Sequence, residues 1–166
     1  MIQINNKIIN TDKLYQISQW KKNGQRLCFT NGCFDLVHAG HVTYLHQASS
    51  LADKLIVAIN SDESVKRLKG KHRPIINQQD RALLLAAFYF IDAVIIFEED
   101  TPMNLIQLIL PDVLVKGGDW TPDKIIGSDV VLAHGGEVLS LPYLEGHSTT
   151  NIEKQIIDNY LQKENS

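Results

Sequence analysis

Short apolar runs rich in β-branched residues alternate with segments of helical period along most of the chain, and no other feature narrows its fold as much. Such an alternation argues for a parallel sheet covered by helices. The expected architecture is α/β, a Rossmann-like, doubly wound parallel sheet of about five strands with flanking helices in a single domain. Strands are expected over residues 26–30, 54–60, 93–97, 113–116 and 137–141. An amphipathic helix beginning after Thr11 or Asp12 places Leu14, Ile17 and Trp20 on one face and ends at Asn23-Gly24, so residues 1–23 read as a helical cover over a body spanning 24–161. Further helices are expected over 39–51, after a Ser61 or Asp62 cap, from near Asn77 with 83–90 buried, after Thr101-Pro102 and Thr121-Pro122, and over 149–161, with 162–166 a frayed tail. Ligands of such sheets bind outside the carboxyl ends of the strands, which directs attention to the loops that follow them.

Composition narrows the function. The 166 residues, 44% hydrophobic and 21% charged, suit one globular domain with a core that needs no staples. The longest apolar run, 82–91, is about half of a bilayer span, and the first twenty residues lack a basic-then-apolar leader, so neither membrane insertion nor secretion is expected. Cys28 and Cys33 suit a reducing compartment, and a cytoplasmic location is expected. A formal charge of −3 provides no broad basic field for a nucleic acid, but it leaves room for a small anion held by a few focused cations.

The most informative stretch runs from Thr30 through Asn31, Gly32, Cys33, Phe34 and Asp35 to His38, Ala39, Gly40 and His41: a strand end, a tight turn, and two histidines where a helix opens. Gly32 permits a sharp turn that exposes backbone N–H groups. Ala39 and Gly40 let a bulky anion approach the helix N-terminus, whose dipole favours negative charge. Histidines three apart at that end face one ligand and can donate hydrogen bonds to it. A zinc site of Cys33, His38 and His41 matches no standard ligand spacing. Neither Gly-x-Gly-x-x-Gly nor Gly-x-x-x-x-Gly-Lys-Ser/Thr occurs, which removes the main support for a dehydrogenase or a P-loop kinase.

The His38-x-Gly40-His41 stretch resembles the signature of the His-x-Gly-His nucleotidyltransferase superfamily, and no Lys-Met-Ser-Lys-Ser loop accompanies it as in class I aminoacyl-tRNA synthetases. Lys116-Gly117-Gly118-Asp119-Trp120 and Gly146-His147-Ser148-Thr149-Thr150 stand where the cytidylyltransferase-like branch carries its Gly-Asp-Trp/Tyr loop and its Ser-Thr-Thr helix start. With 61–70, 97–102 and 110–116, the run from Gly24 to Ile157 is most similar to the adenylyltransferases of bacterial ADP-heptose synthesis. His147 departs from the pattern, since relatives commonly carry Cys, Phe or another less basic residue there.

The resemblance implies transfer of AMP from ATP to D-glycero-β-D-manno-heptose 1-phosphate, with pyrophosphate released, for lipopolysaccharide core or other surface glycan synthesis. It also implies a separate heptose kinase upstream, this chain being the free-standing form, and a homodimer or higher homo-oligomer. A cytidylyltransferase for glycerol 3-phosphate and a non-catalytic nucleotide-binding regulator are the alternatives. His38, His41 and Lys69 are the expected catalytic groups. Thr30, Asn31, Gly32, Phe34, Gly40, His41, Lys116, Gly118, Asp119, Ser148, Thr149 and Thr150 are expected around the nucleotide, simple helix capping being the other reading of Ser148 and its neighbours. Asp35, Lys69, Lys71, Arg73, Asp119 and Trp120 are expected around the acceptor; Asp35 also reads as a fastener of its turn, and the basic loop as a solvated one. Mg2+ is expected, carried by the triphosphate, with no dedicated protein ligands.

Overall fold

The computed structural model describes residues 4–10, 13–142, 144 and 146–164. Six strands, β1 (Ile8–Ile9), β2 (Leu27–Gly32), β3 (Lys54–Asn60), β4 (Ala93–Phe97), β5 (Val113–Gly117) and β6 (Glu137–Leu141), form one sheet in the order β1-β4-β3-β2-β5-β6. Every pairing is parallel. The apolar runs of the sequence announce five of these strands. The sixth, β1, joins the edge through Ile8 opposite Val94 and Ile9 opposite Ile95, and two residues are too few for any periodicity to announce them.

Side chains of each strand alternate between two apolar layers. Leu27, Phe29, Ile56, Ala58, Ala93 and Ile95 point to one, and Cys28, Leu55, Val57, Ile59, Val94 and Val115 to the other. The first layer is closed by α1 (Tyr15–Lys22), α5 (Met103–Ile109) and α6 (Ser128–Ala133), the second by α2 (Ala39–Ser49) and α4 (Gln78–Ala86). Each fully buried aliphatic side chain contributes about 1.5–3 kcal/mol, so covering both faces outweighs any local preference of these segments.

Helix starts follow from their caps. Ser61 accepts from the Ser64 amide at 3.2 Å and opens α3 (Asp62–Lys69), and Asn77 accepts from Gln79 and Asp80, each at 3.0 Å, to open α4. α4 departs from expectation. It ends at Ala86, and Leu83 and Leu84 are exposed while Arg81, Ala82, Leu85 and Ala86 are buried, because a helix turned on a 3.6 period aims pairs of residues four apart at the sheet and cannot bury an unbroken run. The Thr101-Pro102 start also shifts: α5 begins at Met103 and Thr101 makes no cap, while Thr121-Pro122 opens only a short 3₁₀ turn, Pro122–Lys124. The expected caps Thr11 and Asp12 lie outside the described residues. The last helix, α7 (Thr149–Glu164), extends three residues past its expected end.

Strand order reverses at β2: the chain moves from β2 to β3 and β4 on one side, then crosses back to β5 and β6 on the other. A crevice opens at such a switch point, outside the carboxyl ends of β2 and β5.

Candidate active site

That crevice is where the turn after β2 meets the head of α2. Phe34 holds a left-handed φ of 49°, and a Cβ at Gly32 would lie 3.0 Å from its ring, so glycine is needed for the turn to close. The turn is fastened from below. The buried Asp35 carboxylate accepts from Arg73 at 2.6 Å and from the amides of Ile75 and Ile76 at 2.7 and 3.0 Å. Arg81, wholly buried, donates to the Cys33 and Ile76 carbonyls and pairs with Asp62 at 2.8 Å.

Upon this base the two signature histidines pack ring to ring, with centroids 3.9 Å apart. The His38 amide donates to His41 Nδ1 at 3.4 Å, which leaves His41 Nε2 as the protonated nitrogen of the neutral ring. Burial, with the positive charge of His38 and Lys69 added, pulls His41 down to about 4, so at neutral pH it is an uncharged N–H donor. His38 is lowered by burial and by His147, and its Nδ1 is buried with no hydrogen-bond partner among the described residues. Gly40 is what allows this packing. A Cβ there would come within 3.0 Å of the His38 ring and 3.3 Å of His147 Cβ.

Three cavities adjoin at this place. A polar one of about 130 Å³ is lined by the turn 31–35, His41, Tyr44, Lys69, Lys116 and Thr149. A wider cleft of about 710 Å³ lies on the other side of the α7 head, between Gly118, Asp119 and Trp120 and the segment His147, Ser148 and Asn151. An apolar-walled pocket of about 140 Å³, with Ile125 and Ile126, shares Asn31 and Lys116 with the first and Trp120 with the second. Lys116 is mostly buried and donates to the Asn31 carbonyl and side-chain oxygens at 3.1 and 3.3 Å. Burial holds it below the usual lysine value, against an upward pull from Cys33 and with a lesser downward push from Lys69.

The structure thus gathers Asn31, Gly32, Phe34, Asp35, His41, Lys69, Lys116 and Thr149 around one cavity, and Gly118, Asp119, Trp120 and Ser148 around its neighbour. His38 and Gly40 support His41 from behind and line neither. Others fall differently. Thr30 is wholly buried one residue below the crevice, Lys71 and Thr150 are exposed and line neither cavity, and Ser148 also caps α7 by accepting from the Asn151 amide at 3.1 Å. Asp35 and Arg73 are spent on each other, with Arg73 also paired to Glu153 on α7. Cys33 and Tyr44 line the polar cavity without having been singled out for it. Tyr44 was legible as the residue one turn beyond His41; nothing local marked the task of Arg81.

Comparison with known proteins places this geometry in context. The family model described as cytidylyltransferase-like matches residues 29–155. The bifunctional protein HldE of Syntrophotalea carbinolica is 51% identical over 142 residues, 86% of this chain and 29% of that protein. HldE of Geobacter sulfurreducens is 50% identical over 155 residues, 93% of this chain and 32% of that protein. The chain therefore spans about three tenths of the length of the curated relatives it matches. Among solved structures, the lipopolysaccharide core biosynthesis protein from Thermoplasma volcanium superposes with a TM-score of 0.60 at 27% identity, covering 75% of this chain and 100% of that one. A pantoate-β-alanine ligase from Francisella tularensis, at 15% identity and a TM-score of 0.52, shares the fold.

Proposed function

Since the chain belongs to the cytidylyltransferase-like family, we propose that it is a nucleotidyltransferase that moves AMP from ATP to D-glycero-β-D-manno-heptose 1-phosphate, supplying ADP-heptose for lipopolysaccharide core or surface glycan synthesis. The observation that carries this reading is the convergence of a neutral imidazole N–H donor, His41, with two ammonium groups, Lys69 and Lys116, on one polar cavity at the α2 head. The names of the 50–51% identical relatives, and of the lipopolysaccharide core protein with the same fold, support the choice of sugar.

In this mechanism an oxygen of the acceptor's phosphate attacks the α-phosphorus. A new P–O bond forms as the bond between the α-phosphorus and the oxygen bridging to the β-phosphorus breaks, and that oxygen leaves with pyrophosphate. No side chain becomes bonded to the substrate. The protein holds two polyanions in line and stabilises charge building on the α-phosphate and the leaving oxygen. His41 Nε2–H is the preorganised donor, and a neutral imidazole holds that proton far more tightly than an imidazolium would, so it donates the hydrogen bond without giving the proton up to the anion. Lys69, at the mouth, receives the acceptor's phosphate. Lys116 and Thr149 take the triphosphate from the far wall, and the wide cleft beside Asp119 and Trp120 has room for the nucleoside. The Asp35 carboxylate already accepts from Arg73 and two amides, and no cluster of His, Cys, Asp or Glu among the described residues could hold a metal, so Mg2+ is treated as part of the substrate, carried on the triphosphate.

No described helix is long and apolar enough to cross a membrane. We place the reaction in the cytoplasm, downstream of a sugar kinase that makes the 1-phosphate, and expect the enzyme to act as a homo-oligomer. Incubation with Mg2+, each of the four nucleoside triphosphates and a panel of acceptors including heptose 1-phosphate and glycerol 3-phosphate, read by mass spectrometry, tests the proposal. ADP-heptose is the expected product; CDP-glycerol or no product overturns it.

A further inference from the structure

Arg81, on α4, is the largest of the wholly buried side chains among the described residues, and each nitrogen of its guanidinium has an acceptor. Nε donates to the Ile76 carbonyl at 3.0 Å, Nη1 to the Cys33 carbonyl and Nη2 to the Asp62 carboxylate at 2.8 Å. These acceptors belong to three separate segments: the loop whose amides hold Asp35, the turn after β2, and the first residue of α3. Burial alone does not call for an arginine here. A buried ion pair is often no more stable than apolar side chains of similar volume. What the guanidinium adds is a rigid planar fork that fixes several acceptors at once.

Two of the three segments carry groups of the polar cavity. Phe34, 4% exposed, lines it, and its backbone amide donates to no group among the described residues. A nearly buried N–H without a partner is rare unless a ligand meets it. The Cys33–Phe34 peptide is trans, so a Cys33 carbonyl held on Arg81 turns the Phe34 N–H away from the guanidinium. Lys69, the last residue of α3, lines the same cavity, about 10 Å along the helix from Asp62. Cys33 is also tied to α3 by a second route. Its thiol donates to Asn60 Oδ1 at 3.8 Å, and Asn60 donates to the Ser64 hydroxyl at 2.9 Å.

We propose that Arg81 is a positioning residue for AMP transfer: by holding the Cys33 carbonyl and the Asp62 carboxylate in one fixed geometry, it aims the Phe34 amide and the Lys69 ammonium at phosphates in the polar cavity. This rests on the reading that a phosphate chain occupies that cavity. A displacement of about 1 Å in groups that meet the transition state costs up to about 10²-fold in rate. An arginine that served stability alone would, when replaced, lower the melting point and leave turnover per folded molecule unchanged.

Three variants separate the two roles. Arg81→Lys keeps the charge but has no fork to span the three acceptors. Asp62→Asn weakens the tie to α3 at a side chain that is 29% exposed, and it carries the test if Arg81→Lys does not fold. Asp92→Asn breaks the Lys54–Asp92 pair, 2.8 Å long at the amino ends of β3 and β4, far from the strand ends that form the site, and is the structural control. Turnover with Mg2+, ATP and heptose 1-phosphate is normalised to the folded fraction from circular dichroism, and 15N NMR follows the Phe34 amide as inorganic tripolyphosphate is added.

Arg81→Lys should lower kcat about 10- to 100-fold, and Asp62→Asn about 3- to 10-fold, each with KM for ATP within about threefold of the intact protein. Asp92→Asn should melt at a lower temperature and keep kcat within about twofold. Tripolyphosphate should move the Phe34 amide downfield in the intact protein and about half as far or less in the two site variants. A kcat per folded molecule within about twofold of the intact protein in the site variants, an equal loss of kcat in Asp92→Asn, or a Phe34 amide that moves as far in the site variants as in the intact protein overturns the inference and leaves the nucleotidyltransferase reading standing. If the intact protein binds tripolyphosphate but makes no ADP-heptose, the choice of substrates falls and the Phe34 amide alone decides for or against Arg81. No binding of tripolyphosphate by the intact protein overturns both.

Discussion

Replacing Asp35 by Asn separates two roles that the sequence leaves equal, acceptor contact and turn fastener. The carboxylate is 3% exposed and accepts three hydrogen bonds, one from the Arg73 guanidinium at 2.6 Å and two from the Ile75 and Ile76 amides. Asn keeps one acceptor for the amides but turns an N–H group or a neutral oxygen toward the guanidinium. Removing one partner of a buried ion pair costs about 3–5 kcal/mol. Arg73 retains Glu153, which places the loss near the lower end, about 3 kcal/mol. For a domain of this size 1 kcal/mol moves Tm by about 2–4 °C, so Asp35→Asn should melt about 6–12 °C lower. In urea the midpoint should fall by about 1–2 M with an unchanged slope. Circular dichroism melts and urea titrations measure both. A melting point within about 2 °C of the intact protein, accompanied by a raised KM for the acceptor, would refute the fastener argument and return Asp35 to the acceptor site.

Other perturbations follow from the same geometry. His41→Asn should lower kcat by roughly 10²–10³-fold with little change in KM for ATP, measured by pyrophosphate release. Because folding holds His41 near pKa 4 against an ordinary value of 6.5, its neutral form supports stability above pH 6.5. That contribution is lost as pH falls toward 4, so in acid melts His41→Asn should lose less stability between pH 6.5 and 4 than the intact protein. Lys116→Met removes a buried cation whose described partners are the two Asn31 oxygens; turnover should fall at least tenfold while Tm holds or rises, a result that a purely structural lysine would not give. Iodoacetamide should modify Cys33, which lines the phosphate cavity, and spare Cys28, whose thiol burial pushes up to about 12; peptide mapping should show ATP protecting Cys33.

What the sequence made legible was set by range. Strands β2 to β5 are each built on an apolar run buried on both faces, a property each carries within itself, β6 is a half-buried edge strand, and the expected bounds of all five fall within two residues of those observed. The two residues of β1 carry no such signal and become a strand only because β4 offers them an edge. Likewise the His38–Gly40–His41 turn announces its chemistry in four residues, whereas the task of Asp35 depends on amides about forty positions away and that of Arg81 on a carbonyl 48 positions away. The basic loop was legible as a source of cations, but which cation points inward was not. Lys69 ends α3 and reaches the cavity, Lys71 faces solvent, and Arg73 turns back to fasten Asp35.

A crystal structure with the non-hydrolysable α,β-methylene analogue of ATP tests the catalytic geometry most directly. The α-phosphate should lie in the polar cavity with an oxygen about 2.7–3.1 Å from His41 Nε2 and the β- and γ-phosphates running toward Thr149 and Lys116. An α-phosphate bound elsewhere, or a His41 ring turned so that Nε2 points away from it, would contradict the account.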